Sequence, residues 1–244
     1  MLKKIISFLL CIIVLYACSK RDPVLPGERF DIFGNTEIRP VDKSLPQLSD
    51  TAKNIYGNSV CNYTQNDKNV IFMGDKKVFK GIATDNFVKN NQKPICVDDF
   101  IYTGLSTGEI VKINARNNKL VWATDVFKET NLTGGSGVVD IVARVGFDKN
   151  FVYAGGLGDA FCKLKSFDGN KIWCLNISVP VDFILVDNFA FVVGADNNLY
   201  AINVLDGSVY WKTEIKKQMV PQYDGQYIII GKEKINYSNG EIVK

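Results

Sequence analysis

The chain has 244 residues, carries 29 Lys and Arg against 26 Asp and Glu, and contains no His. Charge spread evenly along the chain lacks the basic footprint of a nucleic-acid binder, so no nucleic-acid partner is expected. Without His there is no Ser-His or Cys-His catalysis and little scope for a transition-metal site.

Residues 1–18, MLKKIISFLLCIIVLYAC, open with Lys3 and Lys4, run apolar from Ile5 to Tyr16 and stop at small Ala17 before Cys18. A run of about 12 residues is too short to span a bilayer, which takes about 20, so residues 1–17 read as a removable export signal. Leu15-Tyr16-Ala17-Cys18 resembles the bacterial lipobox, which implies that Cys18 becomes the acylated first residue of the mature chain. A plain secretory signal or a buried N-terminal strand is the alternative. Ser19 stands where an Asp would favour inner-membrane retention, so the resemblance implies an outer-membrane anchor facing the periplasm. Loss of Lys3 and Lys4 leaves 27 basic against 26 acidic side chains, a nearly neutral mature chain.

Residues 18–28 carry Pro23, Pro26 and Gly27 among charges, a composition that suits a tether. Residues 29–244 then form the body. A short strand is expected at residues 29–33, and its pairing into the unit at 224–244, which has no terminal Trp strand of its own, would close the ring. Residues 35–59 hold the breakers Pro40 and Pro46 and show no periodicity; part of this stretch is expected to complete a neighbouring unit.

From there the chain repeats itself. Residues 187–211, DNFAFVVGADNNLYAINVLDGSVYW, alternate apolar and small residues, turn after Gly194, alternate again and reverse at Asp206-Gly207 towards Trp211. Residues 148–173 repeat the pattern, with Asp168-Gly169 the same five positions before Trp173; residues 98–122 do so with Asn117-Asn118 before Trp122. Weaker copies are DKNVIFMGDKKVFKG at 67–81 and DGQYIIIGKEKINYSNGEIVK at 224–244. Gly104, Gly155, Gly194 and Gly231 mark the first turn of four copies, at separations of 51, 39 and 37.

A unit of this size cannot bury its own apolar faces, so copies must stack, and a recurrence of about 40 residues is the pattern of propeller blades. The expected fold is all-β, a β-propeller of four-stranded blades with about five recognisable repeats. A β-sandwich is the alternative, but it has no need for a recurring Trp behind a recurring turn. Gly169 and Gly207 supply positive φ, and a three-residue loop closing on Gly169 would pair Ser166 with Asn170 in a bulged hairpin. Trp122, Trp173 and Trp211 are expected to pack between blades, each worth about 3–5 kcal/mol; binding of a sugar or cofactor is the other reading. Asp98, Asp148, Asp187 and Asp224 recur as turn residues, which needs no metal. The Gly-rich stretch at residues 133–137 lacks a P-loop Lys and reads as a loop between blades.

Four cysteines remain beyond Cys11 and Cys18. The hairpin register places Cys162 opposite Cys174, a candidate disulfide, with two small buried thiols as the alternative. Cys61 and Cys96 are placed too weakly to pair.

The repeat, with Leu199-Tyr200-Ala201-Ile202-Asn203 as its clearest strand, resembles those of quinoprotein-type (PQQ-type) propellers. The lipobox, LPGER at 25–29, VVDIVARV at 138–145 and SVPVDFILVDNFAFVVGADNNLYAI at 178–202 together resemble the BamB-like outer-membrane assembly lipoproteins, most clearly over residues 98–211. That resemblance implies a non-enzymatic scaffold on the periplasmic face of the outer membrane. Its partners would be the periplasmic domains of the β-barrel assembly channel and unfolded outer-membrane proteins. Members usually carry eight blades, so five imply a shortened version, either a smaller ring or an open arc. The rival from another class is a quinone-cofactor dehydrogenase. It would need a cofactor floor, a bound cation, a base and usually adjacent cysteines, and no Cys pair is adjacent here. No cofactor and no catalytic residue is expected. A generic periplasmic propeller binding a peptide or glycan is the remaining alternative.

Overall fold

The computed structural model describes residues 38, 40–48, 61–83, 94–127 and 139–243. All of them fall in the compact unit that begins at Asn35. The export signal, Cys18, the tether, the expected strand at 29–33 and the Gly-rich stretch at 133–137 lie outside the described residues.

Among the described residues nineteen strands form five antiparallel sheets, each a simple meander. The first blade contains β1 (Tyr63–Gln65), β2 (Val70–Met73) and β3 (Lys76–Lys80). The second contains β4 (Ile95–Val97), β5 (Phe100–Gly104), β6 (Glu109–Asn114) and β7 (Lys119–Asp125). The third contains β8 (Gly146–Asp148), β9 (Phe151–Gly156), β10 (Ala160–Lys165) and β11 (Lys171–Leu175). The fourth contains β12 (Phe183–Val186), β13 (Phe189–Val193), β14 (Asn198–Asn203) and β15 (Val209–Glu214). The fifth contains β16 (Gln222–Tyr223), β17 (Tyr227–Ile230), β18 (Glu233–Asn236) and β19 (Ile242–Val243).

Strand composition follows from where each face goes. In β13 every residue is buried, yet alternation persists in the destinations. Phe189, Phe191 and Val193 enter one apolar cluster with residues of the fifth blade, whereas Ala190 and Val192 enter another with residues of the third. A strand sandwiched on both faces reads as a continuous apolar run, because neither face meets water. β17 lacks this: Ile228 and Ile230 are buried against the fourth blade, while Tyr227 and Ile229 are half-buried on the other side. Four such clusters join the five blades in sequence, first to second through to fourth to fifth. Among the described residues no cluster joins the fifth blade to the first, and the five sheets do not close into a ring. These clusters hold the propeller together, because each blade buries on its neighbours the apolar faces it cannot bury alone.

Four expectations need correction. The copy at 67–81 is one strand out of phase. In the second blade Leu105 N donates to Glu109 O, Gly108 N to Leu105 O and Val126 N to Gly108 O; in the first, Asn66 N donates to Val70 O, Asn69 N to Asn66 O and Gly81 N to Asn69 O. β1, β2 and β3 are therefore the second, third and fourth strands of their blade. The Asp67–Asn69 turn mimics the strand-opening Asp of other copies, because both turns use the same residue types.

The bulge of the third blade lies inside the ladder between Lys163 and Leu164, and Lys165, not Ser166, pairs with Asn170. Both arrangements place Cys162 opposite Cys174, and the structure bonds the two, with Cα atoms 4.1 Å apart. Cys61 and Cys96 are also bonded, across 35 residues, with Cα atoms 5.3 Å apart. No local pattern signals this pairing, because Cys61 precedes β1 of the first blade and Cys96 lies on β4 of the second. Finally, the fifth blade has its own fourth strand, β19, so it needs no N-terminal strand to complete it.

Residues 40–48 do not form a strand. They cross the fourth and fifth blades as a strap, with Val41 N donating to Val209 O at 2.9 Å and Leu45 N to Ser238 O at 2.8 Å.

Candidate functional site

The repeated residues converge on the joints between blades. Each turn before an outer strand needs positive φ at one position, taken by Asn118, Gly169, Gly207 and Gly240 at 57°, 74°, 79° and 77°. The indole of the preceding blade lies directly on that glycine: Trp122 on Gly169, Trp173 on Gly207, Trp211 on Gly240. Gly155 and Gly194 have ordinary φ but no room, since a Cβ would come within 2.8 Å of Val179 and 2.4 Å of Asp196 respectively. Gly104 closes β5, where its carbonyl accepts from Gln65 of the first blade at 2.8 Å. Gly231 opens the turn to β18 with φ 59°.

Hydrogen bonds fix the same joints. Trp122 Nε1 donates to Ser166 O at 3.1 Å and Trp211 Nε1 to Tyr237 O at 3.0 Å. Thr124 and Thr213 donate to the carbonyls of Gly169 and Gly240 at 2.8 and 2.6 Å.

Two lysines, unmarked by the sequence reading, belong to this machinery. Lys112 and Lys163 are buried on the third strands of their blades, opposite Trp122 and Trp173. Their Nζ atoms donate to Ser166 O at 2.9 Å and Val204 O at 2.6 Å in the next blade. Each also sits 4.0 Å from the centre of a phenyl ring, Phe100 or Phe151, a favourable cation–π placement. Burial lowers both ammonium pKa values from the ordinary Lys range. The signal was present in the chain, as a Lys ten positions before Trp in two copies; Ala201 occupies the place in the third.

At the opposite end of the blades, Arg144 and Asp182 pair at 2.6 Å. Burial raises the Asp182 carboxyl, opposed by the Arg144 charge beside it. Among the described residues no group of three or more Cys, Asp and Glu could hold a metal. The buried lysines are engaged by carbonyls and rings.

What the molecule offers instead is surface. A cavity of about 400 Å³ lies between the strap residues Pro46–Leu48 and the turns at Asp148-Lys149 and Asp187-Asn188. A groove of about 660 Å³ separates the end of β7, at Thr124 and Asp125, from Asn170 and Lys171 of the third blade. Phe167 and Leu205, at equivalent turn tips of successive blades, are 85% and 63% exposed.

A family model described as outer membrane protein assembly factor BamB matches residues 55–213. Among curated proteins, the outer membrane protein assembly factor BamB of Legionella pneumophila (strain Paris) is 25% identical over 153 residues, 62% of this chain and 40% of that protein. The chain thus spans less than half the length of that relative. Among solved structures, BamB from Moraxella catarrhalis superposes with a TM-score of 0.62 at 18% identity, over 75% of this chain and 59% of that one. The computationally designed Ika8 protein superposes with a TM-score of 0.51 at 10% identity, over 74% and 53%. At these identities the superpositions speak for the fold alone.

Proposed function

Because the chain belongs to the family of the outer membrane protein assembly factor BamB, we propose that it is a non-enzymatic scaffold that assists insertion of β-barrel proteins into the outer membrane. It acts from the periplasmic face, anchored through a lipid on Cys18. The observation that carries this reading is the family match over residues 55–213. Physical support comes from two features. Disulfides at Cys61–Cys96 and Cys162–Cys174 suit an oxidising compartment, which the periplasm is and the cytosol is not. The repeated side chains at the joints are spent on holding blades together, which leaves the loops and outer rims free to bind.

Its partners are the periplasmic domains of the assembly channel and outer-membrane proteins that have not yet folded. No cofactor takes part: the repeat shared with quinoproteins serves here as architecture. Since the match covers 40% of the Legionella relative, a second reading keeps its place, a propeller that binds peptide or glycan without the assembly machinery. Affinity purification of the tagged full chain from solubilised outer membranes, read by mass spectrometry, separates the two. The scaffold reading expects the barrel-assembly channel among the retained proteins; retention of the chain without any channel component would refute it. Mass analysis of the N-terminal peptide tests the anchor separately, with diacylglyceryl on Cys18 as the expected result.

A further inference from the structure

Two turn tips carry an apolar side chain that the bend itself does not call for. In each outer hairpin the residue with positive φ donates its amide to the carbonyl four positions back: Asn118 to Asn114, Gly169 to Lys165, Gly207 to Asn203 and Gly240 to Asn236. The residue two positions before it is Arg116, Phe167, Leu205 or Ser238. Arg and Ser form the same bend as Phe and Leu, so turn geometry does not select an apolar residue there. Yet Phe167 and Leu205, on successive blades, are 85% and 63% exposed.

These tips stand where the N-terminal part of the chain joins the body. Ile38, the first described residue, packs on the cluster between the third and fourth blades, which holds Val204 and Val209 on either side of the Leu205 turn. The strap then follows that turn: Val41 N donates to Val209 O at 2.9 Å, and the Lys43 charge favours the carboxylate of Asp206. Val41 is itself 46% exposed, a third bare apolar side chain at this place. Lys165 acts in the same way on Asp168, so the acidic charge beside each tip is offset. Residues 18–37 separate Cys18 from Ile38, and even fully extended those 20 residues reach about 70 Å. Amides of both turns are taken up inside the bend, Leu205 N by Asn203 Oδ1, Ser208 N by Asp206 Oδ1 and Asn170 N by Asp168 Oδ1. A polypeptide added as a strand needs open backbone groups. Apolar side chains projecting from closed bends suit a fluid apolar layer, which needs none.

We propose that Phe167, Leu205 and Val41 form a membrane-contact surface that seats the third and fourth blades in the headgroup region of the phospholipid leaflet holding the anchor. Phe and Leu side chains enter the boundary between headgroups and acyl chains, while the paired charges of Lys165 with Asp168 and Lys43 with Asp206 stay in its polar layer. The inference rests on the reading of Cys18 as a lipid anchor and adds to it an orientation: the tether brings the body to the bilayer, and the tips decide which side of it faces the lipid. The second and fifth blades, with Arg116 and Ser238 at the same position, point no apolar tip at the leaflet.

The test uses the full chain, expressed with its own N-terminus in a bacterium that has an outer membrane, with photoreactive p-benzoylphenylalanine at one position at a time. Intact cell envelopes are irradiated and the adducts identified by mass spectrometry. Phospholipid adducts are expected at positions 167, 205 and 41, at least fivefold above the yield at 116 and 238. With the probe at 41, Phe167→Ser combined with Leu205→Ser should lower the phospholipid adduct at least fivefold. The thermal midpoint of that variant should stay unchanged, because both side chains are exposed. Adducts to polypeptide alone at 167 and 205 would overturn the proposal, as would equal phospholipid yields at all five positions or a yield at 41 indifferent to the double substitution. Phospholipid adducts on a chain whose Cys18 carries no acyl group would sink the anchor and leave this surface standing; an acylated Cys18 without those adducts would do the reverse.

Discussion

Trp122 rests on the backbone of Gly169: its Nε1 donates to Ser166 O at 3.1 Å, and a Cβ on Gly169 would fall 2.8 Å from the indole Cδ2. The contact spans two blades and recurs at two further joints, so each glycine serves both as a turn and as a seat for an aromatic ring.

Gly169→Ala should therefore cost more than its backbone alone demands. Gly225 also has positive φ, 98°, but a Cβ there meets nothing within 4 Å. Gly225→Ala is expected to cost about 1–2 kcal/mol from the left-handed backbone, and Gly169→Ala about 2–5 kcal/mol once overpacking against Trp122 is added. Urea unfolding of the two variants measures the difference, and equal costs would show that the indole does not depend on a bare backbone.

Two tyrosines at equivalent positions should respond oppositely to loss of their hydroxyls. Tyr102 bonds to the Ser166 side chain. Tyr153, fully buried, faces the joint where Val204 replaces that Ser, and neither its hydroxyl nor Trp173 Nε1 has a hydrogen-bond partner among the described residues. Tyr102→Phe should destabilise by about 1 kcal/mol, whereas Tyr153→Phe removes an unsatisfied buried group and should be neutral or stabilising by up to about 1 kcal/mol. Thermal denaturation of both variants at one pH decides it.

Lys163→Met should be mild and should change the pH profile. The freed Val204 carbonyl becomes available to Trp173 Nε1, as Tyr237 O is to Trp211 in the joint where Ala201 replaces the Lys. The expected change at neutral pH is within about 1 kcal/mol. Burial depresses the folded Lys163 pKa, with Asp148 partly opposing it. Between the folded pKa and the higher unfolded value near 10.5 the unfolded chain binds more protons, so this group makes stability rise with pH across that alkaline interval. The Met variant should lack that rise; a retained slope would assign it to another group.

Breaking the Cys61–Cys96 bond should loosen the first blade before the others. It is the covalent link between β4 and Cys61, two residues before β1, and among the described residues the cluster joining these blades has six buried members, the fewest of the four. Cys96→Ser should cost about 2–4 kcal/mol and raise amide exchange in β1–β3 ahead of β12–β15. Under non-reducing denaturation none of Cys61, Cys96, Cys162 and Cys174 should take up iodoacetamide. Labelling of any of them would show that bond open.

Much of this architecture could be read from the chain because its rules are local. Alternation over five residues, a Gly or Asn that tolerates positive φ, and a Trp at a set offset are each settled within one hairpin. They gave the blade type, the repeat count and the register that opposes Cys162 to Cys174. The same locality explains the misplaced first copy, since an Asp-Lys-Asn turn looks alike between any two strands, and only hydrogen bonds to Val70 and Gly81 reveal its phase. What tertiary structure alone decided are the contacts between residues far apart in the chain: Cys61 with Cys96, Lys112 with Ser166, and Leu45 with Ser238 across 193 positions. Such contacts leave no periodic trace in sequence, because their geometry exists only after the blades have stacked. The path of the strap over the fourth and fifth blades is of that second kind.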